Sequence, residues 1–209
     1  MTRTHAASHS DELVADERRG GGASGDADRA AVAARLGRPP QGAFEVVVRA
    51  PDGAPVVIRN EPLLDDGTPM PTRYWLVDPD VRAAIGRLEA AGGVRRAEVE
   101  VDPVALAVAH ERYAAERDGA LAAGHAGARP SGGVGGTRTG VKCLHAHFAW
   151  YLAGGDDPVG RWVAEHLPRD LAAAFSTATP PHPPSAAARR RICADSVPSG
   201  GPVDNGDRR

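Results

Sequence analysis

The stretch Gly140-Val-Lys-Cys-Leu-His-Ala-His-Phe-Ala-Trp-Tyr-Leu-Ala-Gly-Gly155 combines helical apolar spacing with a cluster of reactive side chains. On a helical wheel of about 100° per residue, one face is formed by Val141, Leu144, Phe148, Tyr151 and Leu152. This spacing predicts a helix over residues 141–152 that packs into a core, and Gly154-Gly155 is typical of a helix end. We expect the rest of the fold to be organised around this helix.

The reactive side chains of this helix fall on different strips of the wheel. Cys143 and His147 are four residues apart and share one strip, whereas His145 lies at the edge of the apolar face. This strip offers two metal ligands, fewer than the four that a structural zinc site needs, so we expect no bound metal. If a metal is bound, Cys143 and His147 are the ligands that the sequence predicts. As a nucleophile, Cys143 would need a neighbouring base, for which Lys142 or His147 is available. The sequence identifies no cofactor.

A glycine-rich loop, Ser131-Gly-Gly-Val-Gly-Gly-Thr-Arg-Thr-Gly140, leads into the predicted helix. Backbone N–H groups of such a loop and of a helix N-terminus can bind phosphate, and Arg138 and Lys142 would add positive charge. The spacing differs from that of a P-loop, so a plain connector is the alternative. We predict an anion site formed by Lys142, His145 and Arg138. Asp66 is a further candidate ligand-binding residue, although an Asx turn explains its sequence context equally well.

Three upstream segments, residues 44–49, 56–59 and 73–77, are rich in β-branched and aromatic residues, as strands are. Pro51-Asp-Gly53 predicts a turn between the first two, because proline presets φ and glycine accepts a positive φ. These segments therefore predict a small antiparallel sheet.

Besides the central helix, four segments have helical patterns: residues 28–36, 79–91, 103–121 and 158–167. Asp78 and Asp102 each precede a proline, the pattern of an N-cap followed by the first helical residue. The fold class we predict is α+β, with a small antiparallel sheet packed against three or four helices.

Composition limits the class of protein. The chain has 209 residues and a formal net charge of -2 at pH 7, so binding to nucleic acid is not expected. It has no run of 18 apolar residues and no apolar segment near Met1, so neither a membrane helix nor a secretory signal is predicted. Cys143 and Cys193 lie in dissimilar contexts, which predicts free thiols in a cytoplasmic protein.

Both ends of the chain are predicted to be disordered, because their polar, Gly- and Pro-rich sequences cannot bury enough apolar surface to offset the entropy of ordering. We predict a disordered arm at residues 1–29, a globular domain at residues 30–172 and a disordered Pro/Arg-rich tail at residues 173–209.

Several motifs occur in the order in which a known family has them. They are Leu36-Gly-Arg-Pro-Pro40, Asp66-Gly-Thr-Pro69, Pro71-Thr72, Leu88-Glu89, Tyr113, Arg117-Asp118 and Val141-Lys-Cys-Leu-His145. Over residues 31–167 the chain resembles DUF501, an actinobacterial domain of unknown function. The resemblance implies a cytoplasmic bacterial protein without an established activity, whose relatives often lie near cell-division and polyphosphate-related genes.

The chain departs from the family pattern at reactive positions. The first turn, residues 50–55, has no cysteine, Asp78 stands where the family has a cysteine or histidine, and Trp150 stands where it has a second histidine. If the family has a metal or catalytic site, the resemblance implies that it is degenerate here.

From these patterns we expect a non-enzymatic binding or interaction protein that holds a small anion, or an acidic group of a protein partner, where the glycine-rich loop meets the central helix. The alternative is a metal-dependent or cysteine-based enzyme that uses Cys143, His145 and His147. The sequence leaves open which of the two classes applies.

Overall fold

A computed structural model describes residues 25–171 of the chain. Within that range it contains six α-helices, three strands and one turn of 3-10 helix. In chain order these are α1 (Asp26–Leu36), β1 (Phe44–Arg49), β2 (Pro55–Asn60), β3 (Tyr74–Leu76), α2 (Pro79–Ala90), α3 (Gly93–Glu100), α4 (Pro103–Gly119), the 3-10 turn (Val134–Gly136), α5 (Leu144–Leu152) and α6 (Pro158–His166). The predicted α+β class is confirmed. The predicted tail, nearly all of the predicted arm and Cys193 lie outside the described residues.

The strands form an antiparallel sheet in the order β1-β2-β3. The predicted hairpin joins β1 to β2 through a turn in which Gly53 has φ 86° and donates from its N–H to the carbonyl of Ala50. A register shift in β1 between Val46 and Val48 marks a bulge. In the second pairing, Val57 lies opposite Leu76.

The two faces of the sheet are covered by different helices, because side chains alternate along a strand. On one face, α1 packs through Val32 against a small apolar cluster that includes Phe44, Ile58 and Val77. The opposite face carries Tyr74 and Leu76 of β3 into the main core, to which α2, α4, α5 and α6 all contribute. The helix α5 lies directly against β3 and α6 in this core, as expected for the element around which the fold is organised.

Aspartate caps and prolines start three of the helices. The side chain of Asp78 accepts from the N–H groups of Asp80 and Val81 at α2, and Asp102 accepts from the N–H of Val104 at α4. Both caps confirm the pattern expected from the sequence. Asp157 caps α6 in the same way.

Two features differ from the sequence prediction. The helix α3 was not predicted, because it is short and highly charged. It also begins at Gly93, directly after Gly92, and a pair of glycines is more typical of a helix end. The central helix begins at Leu144 and not at residue 141, since Cys143 is extended, with φ -159° and ψ 122°. Lys142 and Cys143 therefore precede the helix, and their predicted places on the helical wheel are wrong.

The glycine-rich loop is tied to α4 by buried side chains. Arg117 of α4 is only 1% exposed and donates to the carbonyl oxygens of Pro130, Ser131 and Gly132. The imidazole of His110 accepts from the N–H of Val134 at 3.0 Å and bonds to the carbonyl of Gly140 at 3.0 Å. These contacts hold the loop in one place ahead of α5.

Among the helices in residues 25–171, none has both the length and the apolar character required to cross a bilayer.

Candidate binding cleft at the start of the central helix

A cleft of about 510 Å³ opens where the end of α1, the strand β3, the helix α2 and the start of α5 meet. The residues that line it are Leu36, Arg38, Thr72, Tyr74, Trp75, Leu76, Arg82, Gly135, Lys142, Cys143, His145 and Ala146. Its size lies within the range of small-molecule sites, which is roughly 300–1,000 Å³. Lys142 and His145, both predicted as site residues, are on its wall.

The charged residues that line the cleft are all basic. Arg38, Arg82 and Lys142 come from three separate parts of the chain, and no aspartate or glutamate is among the lining residues. Within residues 25–171, no carboxylate forms an ion pair with any of the three. Arg38 and Lys142 are exposed, whereas Arg82 is half-buried and donates to the carbonyl of Arg35. The lining of the cleft is therefore basic, with the carboxylate of Glu89 beside it at 3.3 Å from His145.

One wall of the cleft is aromatic. The guanidinium of Arg38 lies over the ring of Trp75, 5.3 Å from its centroid. Tyr74 is buried, and its hydroxyl donates to Glu116 on α4, which fixes the ring in place. A ligand in this cleft would meet a half-exposed indole as well as cationic groups.

Next to the basic residues, Cys143, His145 and Glu89 form a compact cluster. The Sγ atom of Cys143 lies 3.6 Å from Nδ1 of His145, and Oε1 of Glu89 lies 3.3 Å from the same nitrogen. The three potential ligand atoms are all within 4.8 Å of one another. The extended backbone at Cys143 makes this possible, because in a continuous helix residues two apart point to nearly opposite sides.

The opposite ring nitrogen, Nε2 of His145, is 3.1 Å from the carbonyl oxygen of Arg82. A carbonyl only accepts, so Nε2 carries a proton and Nδ1 faces Cys143 and Glu89. Contact with the Cys143 sulfur raises the pKa of His145 to about 9, the Arg82 carbonyl and Glu89 act in the same direction, and burial opposes them. Glu89 is itself held by the N–H of Leu144, which donates to Oε1 at 2.7 Å.

His147 does not join this cluster. Its side chain is buried between α4 and α6, where Nδ1 is 2.7 Å from Oδ2 of the buried Asp157. The structure thus brings Cys143 together with His145 and not with His147, which reverses the grouping expected from the wheel. The reason is the late start of α5, which changes the direction of the Cys143 side chain.

The family comparison agrees with the resemblance seen in the motifs. The sequence pattern of a family described as "Protein of unknown function (DUF501)" matches residues 46–165. The chain belongs to the DUF501 family. Neither the curated proteins nor the solved structures gave a match to the chain.

The DUF501 match includes most of the cleft and the whole cluster of Glu89, Cys143 and His145. Arg38 lies on the N-terminal side of the matched region, within the motif Leu36-Gly-Arg-Pro-Pro40.

Two predicted site residues lie elsewhere on this DUF501 chain. Arg138 is exposed in the glycine-rich loop and does not line the cleft. Asp66 is exposed, and its Oδ1 accepts from the N–H of Thr68 as in an Asx turn. That hydrogen bond lowers the pKa of Asp66, so a local role in the turn accounts for this carboxylate.

Sequence reasoning did not assign Arg38, Arg82 or Glu89 to the candidate site, although the motifs that resemble DUF501 include Arg38 and Glu89. Arg82 and Glu89 are seven residues apart on α2, a spacing that places both on one side of a helix. That spacing groups them with each other, but no local pattern connects them to Cys143 and His145.

Proposed function

We propose that this DUF501 protein binds a small anionic ligand, of the phosphate or carboxylate type, in the cleft at the start of α5. The observation that carries the proposal is the convergence of Arg38, Arg82 and Lys142 on one cleft without an acidic lining residue. Like charges held close together repel, and an anion bound between them offsets that repulsion.

The cationic side chains are the main groups that would hold the anion, because most N–H groups of residues 133–137 in the glycine-rich loop already have acceptors. In the loop, the N–H groups of Gly133, Val134, Gly136 and Thr137 already have acceptors. At the start of α5, the N–H of Leu144 donates to Glu89. Arginine offers a planar fork for two anion oxygens, and lysine acts as a point charge, so Arg82 and Lys142 suit complementary roles.

The aromatic wall favours a ligand that has a flat or apolar part in addition to its anionic group. Trp75 is half-buried and lines the cleft beside Arg38, so a planar ring has an indole and a guanidinium against which to pack. A nucleoside monophosphate is a suitable probe of this combination, with inorganic phosphate as the probe of the anionic part alone.

A cytoplasmic location is part of the proposal. Cys143 is a free thiol at the wall of the cleft, and a reducing compartment keeps it in that form.

The test is a titration of the purified chain with inorganic phosphate, citrate and a nucleoside monophosphate, after chelation of metals and in a phosphate-free buffer. Indole fluorescence is a direct readout because Trp75 lines the cleft. Loss of one cationic contact is expected to weaken binding about tenfold, or roughly 1.4 kcal/mol, in Arg82→Gln and in Lys142→Gln.

The matched control is Arg138→Gln, which removes an exposed positive charge outside the cleft. Binding to this variant should equal binding to the unmodified protein. The proposal fails if none of the three probes binds, or if Arg138→Gln weakens binding as much as Arg82→Gln does.

A second candidate, a cysteine-based or metal-dependent enzyme, is favoured by one observation, the 3.6 Å approach of Cys143 Sγ to His145 Nδ1. Nucleophilic catalysis by cysteine requires such a neighbouring base. The pair forms without His147, so the candidate rests on Cys143 and His145. Rapid modification of Cys143 by an alkylating reagent, slowed in His145→Asn, would support it.

A further inference from the structure

We propose that Glu89, Cys143 and His145 form a binding site for a single zinc ion on the wall of the cleft. The site offers one carboxylate oxygen, one sulfur and one imidazole nitrogen, the three donor types that zinc takes in proteins. The proposal goes beyond anion binding, because the anion site proposed above uses the basic side chains and functions without a metal.

The distances fit one ion bound to all three atoms. Zinc bonds of about 2.0–2.3 Å in tetrahedral geometry put neighbouring ligand atoms roughly 3.4–3.6 Å apart. The Nδ1 atom of His145 is 3.3 Å from Glu89 Oε1 and 3.6 Å from Cys143 Sγ. The sulfur and the carboxylate oxygen are also within 4.8 Å of each other. Small side-chain adjustments therefore complete the geometry.

Two contacts outside the cluster orient the ligands as metal sites require. Zinc-bound histidines usually donate their other N–H to a carbonyl or carboxylate, which fixes the tautomer. Here Nε2 of His145 lies 3.1 Å from the carbonyl of Arg82, so Nδ1 is the nitrogen that faces Cys143 and Glu89, and a zinc ion would take the place of a proton on it. Glu89 receives the N–H of Leu144 at 2.7 Å, and this hydrogen bond holds the carboxylate in position.

Charge and exposure also suit a zinc ion. A thiolate and a carboxylate neutralise the two positive charges of the ion, so the complex adds no net charge beside Lys142 and Arg82. The side chains of Glu89 and His145 are each 27% exposed, which leaves a route for the ion from solvent. Cys143 and His145 both line the cleft, so the fourth position faces it and can take a water or an oxygen of the bound anion.

Metal binding is tested on the full chain with Co²⁺, which replaces zinc and gives a thiolate-to-cobalt charge-transfer absorption. The unmodified protein, stripped of metal, should bind one Co²⁺ per chain with this absorption, and Zn²⁺ should displace the cobalt. Cys143→Ser should lose the absorption. Glu89→Gln should keep it while binding the ion at least about 10 times more weakly, since losing a direct ligand should cost no less than losing an outer hydrogen bond.

Cys193→Ser is the matched control, because Cys193 is the other cysteine of the chain. This variant should bind cobalt as the unmodified protein does. If the charge-transfer absorption disappears in Cys193→Ser and persists in Cys143→Ser, the assignment of the site is wrong.

A second measurement needs no variant and so avoids any loss of folding. Alkylation of Cys143 in the unmodified chain, followed by mass spectrometry of its peptide, should slow at least about tenfold when Zn²⁺ is added, because a bound thiolate is a poorer nucleophile. Alkylation of Cys193 provides the internal reference. Equal rates at Cys143 with and without zinc would overturn the proposal.

The outcomes for zinc and for the anion are separable. Anion titrations use chelated protein, so a failure to bind cobalt leaves their result intact. Cobalt titrations use buffer without phosphate, so a failure to bind the anion leaves the charge-transfer absorption intact.

Discussion

The guanidinium of Arg117 donates a hydrogen bond of 2.6 Å to the carbonyl oxygen of Gly132. The same side chain reaches the carbonyls of Pro130 and Ser131 and pairs with Asp118. One buried arginine of α4 thus satisfies three successive acceptors of a loop that has few apolar side chains of its own. The position of the loop, and with it that of Gly135 on the cleft wall, depends on this contact.

Replacing Arg117 with methionine should lower the free energy of unfolding by about 3 kcal/mol, since it leaves buried carbonyl groups without donors. Arg112→Met on the same helix is the control, because the ion pair of Arg112 with Asp156 is exposed and should be worth less than about 1 kcal/mol. Urea denaturation followed by circular dichroism measures both. Equal losses in the two variants would contradict a structural role for Arg117.

Gly133→Ala should destabilise the chain by about 1–3 kcal/mol through overpacking. A Cβ atom at Gly133 would lie 2.5 Å from both Cβ and Nδ1 of His110, so the loop would have to move and lose its bond to that ring. Gly86→Ala is the matched change in α2, where a Cβ atom meets nothing within 4 Å, and it should stabilise the helix by about 0.5–1 kcal/mol. Thermal melting that ranks the two variants in the opposite order would be inconsistent with this packing.

Two adjacent aspartates, Asp156 and Asp157, should differ greatly in their contribution to the free energy of unfolding. Asp157 is fully buried, bonds to His147 and caps α6, so Asp157→Ala should cost about 3–5 kcal/mol. Asp156 is 65% exposed, and its pairs with Arg112 and Arg161 lie in solvent, so Asp156→Ala should cost less than about 1 kcal/mol. Chemical denaturation of the two variants side by side provides the comparison. Similar denaturation midpoints would contradict a stabilising role for the buried pair of Asp157 and His147.

The stability of the fold should fall in mild acid partly because of His110. Burial lowers the pKa of His110 below its usual value of 6.5. The unfolded chain therefore gains a proton near pH 6.5 that the folded chain does not take up. His110 therefore makes its full contribution to the free energy of unfolding above about pH 6.5. That contribution is lost as the pH falls from about 6.5 towards the lower pKa that His110 has in the folded state.

The free energy of unfolding, measured in urea between pH 6.5 and pH 5, should thus decline as the pH falls. Between pH 8 and pH 6.5 the raised pKa of His145 acts in the opposite direction, so that range does not isolate His110. In His110→Gln the decline should be shallower, because the titrating ring is gone. An unchanged slope in this variant would show that other groups account for the acid sensitivity.

The sequence predicted those parts of the fold that local chemistry determines. Gly53 supplies the positive φ of the hairpin turn, and Asp78 and Asp102 cap helices that begin with proline. The turn glycine and the helix caps each act within a few residues, so a short segment of sequence is enough to predict them. The same holds for the apolar spacing of Val81, Ala84 and Ile85 on α2.

The parts that sequence reasoning missed depend on partners far along the chain. Arg117 is buried because loop carbonyls 13–15 residues away accept its donors, and a helical pattern gives no sign of that. The cleft likewise joins Arg38 to Lys142, which only the assembled fold brings together. In the candidate site, Lys142 and His145 were named from the sequence and remain predictions, whereas Glu89 lies next to His145 only through the packing of α2 on α5.

The extended conformation of Cys143 has a consequence for comparing members of the DUF501 family. Were α5 to start one turn earlier, Cys143 and His145 would point about 160° apart around the helix axis, and the thiol would no longer face the imidazole. Two homologues with identical Lys-Cys-Leu-His motifs can therefore differ in chemistry if their helices begin at different residues. Whether the thiol faces the imidazole in another member thus depends on where its helix begins as well as on the motif.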